Sequence, residues 1–278
     1  MEAALKTRTL SALLLAPVFL ALIYWGPVPF ALALALLSFF AGRELAGLLN
    51  RLGWPAPRFL PWAGLAVLAG GLAGADSGLR LPLLFLTVGV PLVWLFVPIV
   101  PARPRRGAAA WAVHLLGALY AGWLPSLLAR LHQGPWRPEG AEPRGSGWVF
   151  LAVFLVWAYD TGAYGCGRLL GRHALWREVS PAKTWEGVLG GIALAVVAAA
   201  LLSGVFAPGL TRGGALLLGA LAAASAQLGD LVESRLKRRA GVKDSSEMIP
   251  GHGGILDRFD SLFFAAPLFY YYLGGFGR

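Results

Sequence analysis

The chain has 278 residues, of which 57% are hydrophobic and 14% charged, and its mean hydropathy is +0.65. A soluble domain carries about 25% charged residues, so this composition excludes a water-soluble globular protein and predicts an all-α, polytopic integral membrane protein. The net charge of +10 would suggest nucleic acid as a partner in a soluble chain. Here the basic residues are spread over loops between apolar runs without aromatic interleaving. That excludes nucleic acid and favours anionic lipid head groups and nucleotide phosphates.

At about 20 apolar residues per crossing, nine spans are predicted, at 10–25, 29–49, 61–75, 81–99, 108–129, 148–170, 187–206, 213–235 and 256–274. Lys6 and Arg8 ahead of the first run imitate a signal peptide. The apolar stretch resumes at once, so an uncleaved first span is expected. A single membrane domain over 1–278 results, with five spans in 1–147 and four, rich in polar residues, in 148–278. With the N-terminus in the cytoplasm, eighteen lysines and arginines fall on the cytoplasmic side and six on the other, the asymmetry that orients membrane proteins.

Chemistry-bearing residues begin inside the sixth span, where Asp160, Tyr164 and Arg168 share one face. A carboxylate at membrane depth is a functional hypothesis by default, although a buried pair within this face would also account for it. The lone cysteine, Cys166, excludes an intrachain disulfide and a thiolate metal site and reads as a small packing residue. Before span seven, Ser180 and Pro181 read as a helix N-cap and first helical residue. That places Lys183 in the first turn, where its charge opposes the helix dipole unless an anion sits there. Ser180, Lys183 and Thr184 are thus read as a phosphate site; ordinary positive-inside charge would explain Lys183 but not the company of Ser180, Thr184 and Glu186. Gly187 and Gly191 read as close helix packing.

Span eight carries Gln227, Asp230, Glu233, Ser234 and Lys237 within an arc of about 120°. A Glu233–Lys237 pair four residues apart would explain those two, but not Asp230 and Gln227. Asp257 and Asp260 open span nine after a glycine-rich turn containing His252. Carboxylates favour a helix N-terminus, which would suffice for one of them. Asp230 and Asp257 bracket a loop and are predicted to share a divalent ion. Oxygen-only donors suit magnesium, which binds through one or two carboxylates plus substrate phosphate. His252 reads as a phosphate or turn contact ahead of a further ligand to that ion. No GxSxG elbow, Cys-His pair, P-loop or dinucleotide fingerprint occurs.

These residues form a recognisable pattern: Ser234, Lys237, Arg238, Lys243, Asp244, then His252 to Gly254, Asp257, Arg258 and Asp260. It resembles the C-terminal signature of the phosphatidate cytidylyltransferases, or CDP-diacylglycerol synthases, and the segments 180–187 and 160–164 match that family too. The resemblance is strong over about 155–275 and generic before it. It implies that CTP and phosphatidate give CDP-diacylglycerol and pyrophosphate with magnesium, in phospholipid biosynthesis. It also implies that Asp230 and Asp257 hold the metal, that Ser180, Lys183, Thr184, Lys237 and Arg258 hold phosphates, and that Asp160, Glu186, His252 and Asp260 order waters or basic partners. Ser234 and Arg238 join the substrate-binding set through the same signature. The enzyme would sit in the inner membrane, taking CTP from the cytoplasm and lipid from the inner leaflet. A second cation and a homodimer stay open. A CTP-dependent lipid kinase, an ion-coupled transporter and a non-catalytic assembly subunit are the rival readings.

Overall fold

The computed structural model describes residues 2–56, 58, 60–73, 108–134 and 145–275; the predicted fourth span and most of the loop 133–147 lie outside the described residues. The described chain runs α1 (Glu2–Trp25), α2 (Pro27–Arg51), α3 (Leu60–Ala73), α4 (Ala108–Ala118), a π-helical turn (Leu119–Trp123) and α5 (Leu124–Gln133). Then come α6 (Gly145–Leu170), β1 (Ala174–Trp176), β2 (Ser180–Thr184), α7 (Trp185–Phe206), α8 (Arg212–Arg239) and α9 (Leu256–Gly275). Among the described residues, five stretches are long and apolar enough to cross a membrane: Pro27–Arg51, Ala110–Gln133, Gly145–Leu170, Trp185–Phe206 and Arg212–Arg239. The chain is a mostly helical, multi-span membrane protein. The β1–β2 hairpin departs from the all-helical expectation. Pro181 cannot donate to a ladder and favours extended backbone at Ser180, and β2 pairs antiparallel with β1 through Trp176 and Ser180.

Two compact units emerge, Met1–Ala129 with Val232–Asp260, and Arg130–Leu231 with Ser261–Arg278. In the first, Phe30, Leu34, Leu45, Leu48, Leu49, Leu60 and Leu124 are buried to below 2% exposure. The predicted fifth span is not one uniform helix, because the π-helical turn interrupts it. Pro125 supplies the reason: it has no N–H to give to the carbonyl four residues back, that of Ala121. Ser38 on α2 donates its hydroxyl to that carbonyl at 2.5 Å, which also ties α2 to the turn.

In the second unit, α6 and α7 approach through glycines. A Cβ on Gly162 would lie 2.7 Å from the Gly190 carbonyl, and one on Gly190 would lie 2.3 Å from Cys166 Sγ. On Gly191 it would meet the Tyr159 ring at 2.6 Å, and on Gly187 the Ala163 carbonyl at 2.8 Å. Small residues at such contacts let helix backbones approach closely where no hydrophobic effect drives association. Leu189, Val197, Leu201 and Val205 project from α7 as exposed apolar side chains, the surface a lipid-facing span requires. Arg130 stacks over the Tyr270 ring, 5.1 Å from its centroid.

Candidate active site

The last turns of α8 and the first turn of α9 build a polar centre in the first unit. Lys237 donates to Asp257 Oδ1 and stands 3.4 Å from Glu233 Oε1. The three side chains are 11%, 2% and 1% exposed. Glu233 and Lys237 are one helical turn apart, so the expected i, i+4 pair forms, yet the ammonium also reaches across the loop to Asp257. The other oxygen of Asp257 accepts the Ser245 amide (2.8 Å), the Ser245 hydroxyl (2.8 Å) and the Gly254 amide (2.7 Å). Gly253 adopts a φ of +82°, and a Cβ there would sit 2.7 Å from Asp257 Oδ2. Only glycine combines that left-handed backbone with so close an approach.

The turn around His252 is held from two sides. Ser11 Oγ lies 2.7 Å from His252 Nδ1, and Arg258 Nε donates to the His252 carbonyl at 2.9 Å. Arg238 Nη1 donates to the Val242 carbonyl at 3.0 Å, closing the end of α8. Ser234 and Asp260 are buried, at 8% and 6% exposure.

The second unit carries the segment after α6. The helix that follows begins at Trp185 with Thr184 as its N-cap, whose hydroxyl oxygen accepts the Gly187 amide at 3.1 Å. Ser180 is therefore not the N-cap, because Ser180 and Pro181 are committed to β2. Lys183 accordingly precedes the helix and does not oppose its dipole from within the first turn. Its ammonium forms an ion pair with Asp230 Oδ2. Glu186, in the first turn, accepts the amides of Arg172 (3.1 Å) and His173 (3.2 Å) on one oxygen and meets His173 Nδ1 at 2.5 Å with the other. It staples the hairpin to α7. Tyr159 donates its hydroxyl to Gln227, so Gln227 holds α6 against α8. Asp160 is exposed on α6, and Tyr164 accepts from Arg168 Nη1 at 3.0 Å one turn on.

The chain thus brings Lys183 to Asp230 in one unit and Lys237 to Asp257 in the other. Among the described residues no group of three or more His, Cys, Asp or Glu is arranged to hold a metal ion by itself. Sequence reasoning missed Glu44, Ser245 and Ser246. Glu44 accepts both serine hydroxyls and two backbone amides of the α9 N-terminus. The available signal was an acid inside the apolar run 29–49, since such residues are rare within spans.

Comparison with known proteins identifies the family. The family model described as "Cytidylyltransferase family" matches residues 6–276. A phosphatidate cytidylyltransferase of Haemophilus influenzae is 36% identical over 286 residues, covering 96% of this chain and 98% of its own. One from Brucella suis is 36% identical over 270 residues, covering 96% of this chain and 92% of its own. One from Bacillus subtilis is 46% identical over 132 residues, covering 48% and 49%. With a match running almost from end to end and relatives well above 30% identity, the chain belongs to the cytidylyltransferase family.

Proposed function

We propose that the protein transfers the cytidylyl group of CTP to phosphatidate, giving CDP-diacylglycerol and pyrophosphate. The observation that carries this reading is the buried Lys237–Asp257 centre, built from the signature segment 234–260, in a chain whose relatives are phosphatidate cytidylyltransferases over nearly their whole length. A phosphate monoester has a second pKa of about 6, so the lipid is already an anionic nucleophile at neutral pH. Its oxygen forms a bond to the α-phosphorus of CTP while the bond to the bridging oxygen breaks and pyrophosphate leaves. No strong general base is needed. The protein's task is to hold two polyanions together and offset the charge of an in-line displacement.

The residues suit that task. The Lys183 ammonium faces one carboxylate and that of Lys237 faces two, so with three protons each retains at least one for a phosphate oxygen. Thr184 accepts a backbone amide and keeps its hydroxyl proton to donate, with Ser180 and Arg258 as further phosphate ligands. Asp160, Glu186, Ser234, Arg238, His252 and Asp260 complete the binding set as ordering groups. Asp230 and Asp257 each already face a lysine ammonium, so both are anionic positions adapted to positive charge. That donor chemistry fits magnesium, and these two aspartates would hold it, with a second cation and a homodimer as compatible additions. When bound, magnesium would neutralise phosphate charge during the displacement. We further propose nine spans with a cytoplasmic N-terminus in the inner membrane. The lysine and arginine asymmetry supports this orientation, which turns the site to the cytoplasm and lets lipid enter from the inner leaflet.

Purified protein given magnesium, CTP and phosphatidate is expected to release pyrophosphate and form CDP-diacylglycerol. CDP release would identify a lipid kinase instead, and no nucleotide turnover would favour a transporter. Asp230→Asn and Asp257→Asn are each expected to slow the reaction by about a hundredfold or more. Rates within a few-fold of the parent would refute the metal assignment.

A further inference from the structure

Glu44 lies on α2 at 4% exposure, outside the signature segments 160–164, 180–187 and 234–260. A carboxylate buried in an apolar span is costly unless its lone pairs are satisfied. Here each oxygen takes one hydroxyl and one backbone amide. Oε1 accepts from Ser246 Oγ (2.6 Å) and the Ile255 amide (2.9 Å), and Oε2 from Ser245 Oγ (2.9 Å) and the Leu256 amide (2.8 Å). The two amides stand at the start of α9, where backbone donors have no intrahelical partner and a negative charge is favoured. The helix is therefore capped by a side chain from a segment more than 200 residues earlier.

The next residue is Asp257. The Ser245 hydroxyl lies 2.9 Å from Glu44 Oε2 and 2.8 Å from Asp257 Oδ2. Space at this junction is closed, because a Cβ on Gly254 would lie 2.0 Å from Ser245 Oγ and 2.5 Å from Glu44 Oε2. Ser245 thus links the two carboxylates: its one hydroxyl proton is shared between Glu44 Oε2 and Asp257 Oδ2, and its amide donates to Asp257 Oδ2 as well. We propose that Glu44 is a positioning residue: it locks the loop 245–246 and the start of α9, and so sets where the Asp257 carboxylate stands. This gives the N-terminal helices a part in the chemistry, and it rests on the reading of Asp257 as a site residue.

The test uses the full-length protein in detergent or lipid. In Glu44→Gln one backbone amide must face the carboxamide NH2, donor against donor, whichever way the group is turned. Hydrogen–deuterium exchange over 245–256 is expected to quicken about tenfold or more, with the remaining helices unchanged. The magnesium concentration giving half-maximal pyrophosphate release is expected to rise about tenfold or more, as when outer partners of metal ligands are removed. A merely structural role would reduce the active fraction without moving that midpoint. Unchanged protection over 245–256, or an unmoved midpoint, overturns the proposal. Should Glu44→Gln not fold, Ser246→Ala decides in its place, since it deletes one donor and keeps the carboxylate; the same two shifts, smaller, are expected, and their absence is equally fatal. Lack of pyrophosphate release by the parent protein would sink the proposed reaction, while the exchange result would still decide whether Glu44 holds the segment.

Discussion

Replacing Lys237 with methionine removes the cation shared by Asp257 and Glu233 while keeping the length of the aliphatic stem. Had these groups been exposed, the pair would contribute about 0–1 kcal/mol. The two carboxylates are 2% and 1% exposed, which places the change among buried pairs broken from one side, at about 3–5 kcal/mol. Asp257 retains the amide and hydroxyl of Ser245 and the amide of Gly254. Those donors continue to stabilise its charge and put the expected loss near the lower end, about 3 kcal/mol, or roughly a hundredfold in the folding equilibrium. Unfolding titrations in mixed micelles would measure it. A double-mutant cycle with Asp257→Asn should return a coupling of about 1–3 kcal/mol, because with the charge gone the lysine has less to compensate. If Lys237→Met costs below about 1 kcal/mol, or the cycle shows no coupling, the ammonium does not hold this centre and the argument from burial fails.

Two further outcomes test the second unit. Thr184→Val deletes the cap on the Gly187 amide and should cost about 1 kcal/mol in unfolding titrations, with Thr184→Ser close to the parent; equal stability of the valine variant would refute the cap. Gly190→Leu places a side chain where a Cβ already lies 2.3 Å from Cys166 Sγ, so folded yield on size exclusion should collapse. Gly204→Ala on the same helix, with nothing within 4 Å of the added carbon, should be tolerated, and equal yields from the two would refute close packing of α6 on α7.

Much of this was legible in the chain. Hydropathy marked α2, α6, α7 and α8 within a few residues, because a span must satisfy its own backbone and announces itself by a long apolar run. The Glu233–Lys237 pair was readable from helical spacing. The hairpin at 174–184 was not, since strands of 3 and 5 residues carry too little pattern to compete with a Ser-Pro helix start. Nor was Glu44, whose partners lie in a segment that no local window contains.

What the sequence determined by itself is what repeats along a few turns: the membrane class, the individual helices, and the signature that places the chain in its family. Which charges meet was decided only by tertiary structure. Lys183 had a glutamate three residues away and pairs instead with Asp230; Lys237 reaches Asp257 as well as its helical neighbour; Glu44 caps a helix 212 positions on. Helix formation follows local hydrogen bonding and apolar periodicity. The partner of a charge withdrawn from water, almost wholly at Lys237 and Glu44 and in part at Lys183, follows desolvation, which only the packed chain imposes and a second group packed beside it offsets.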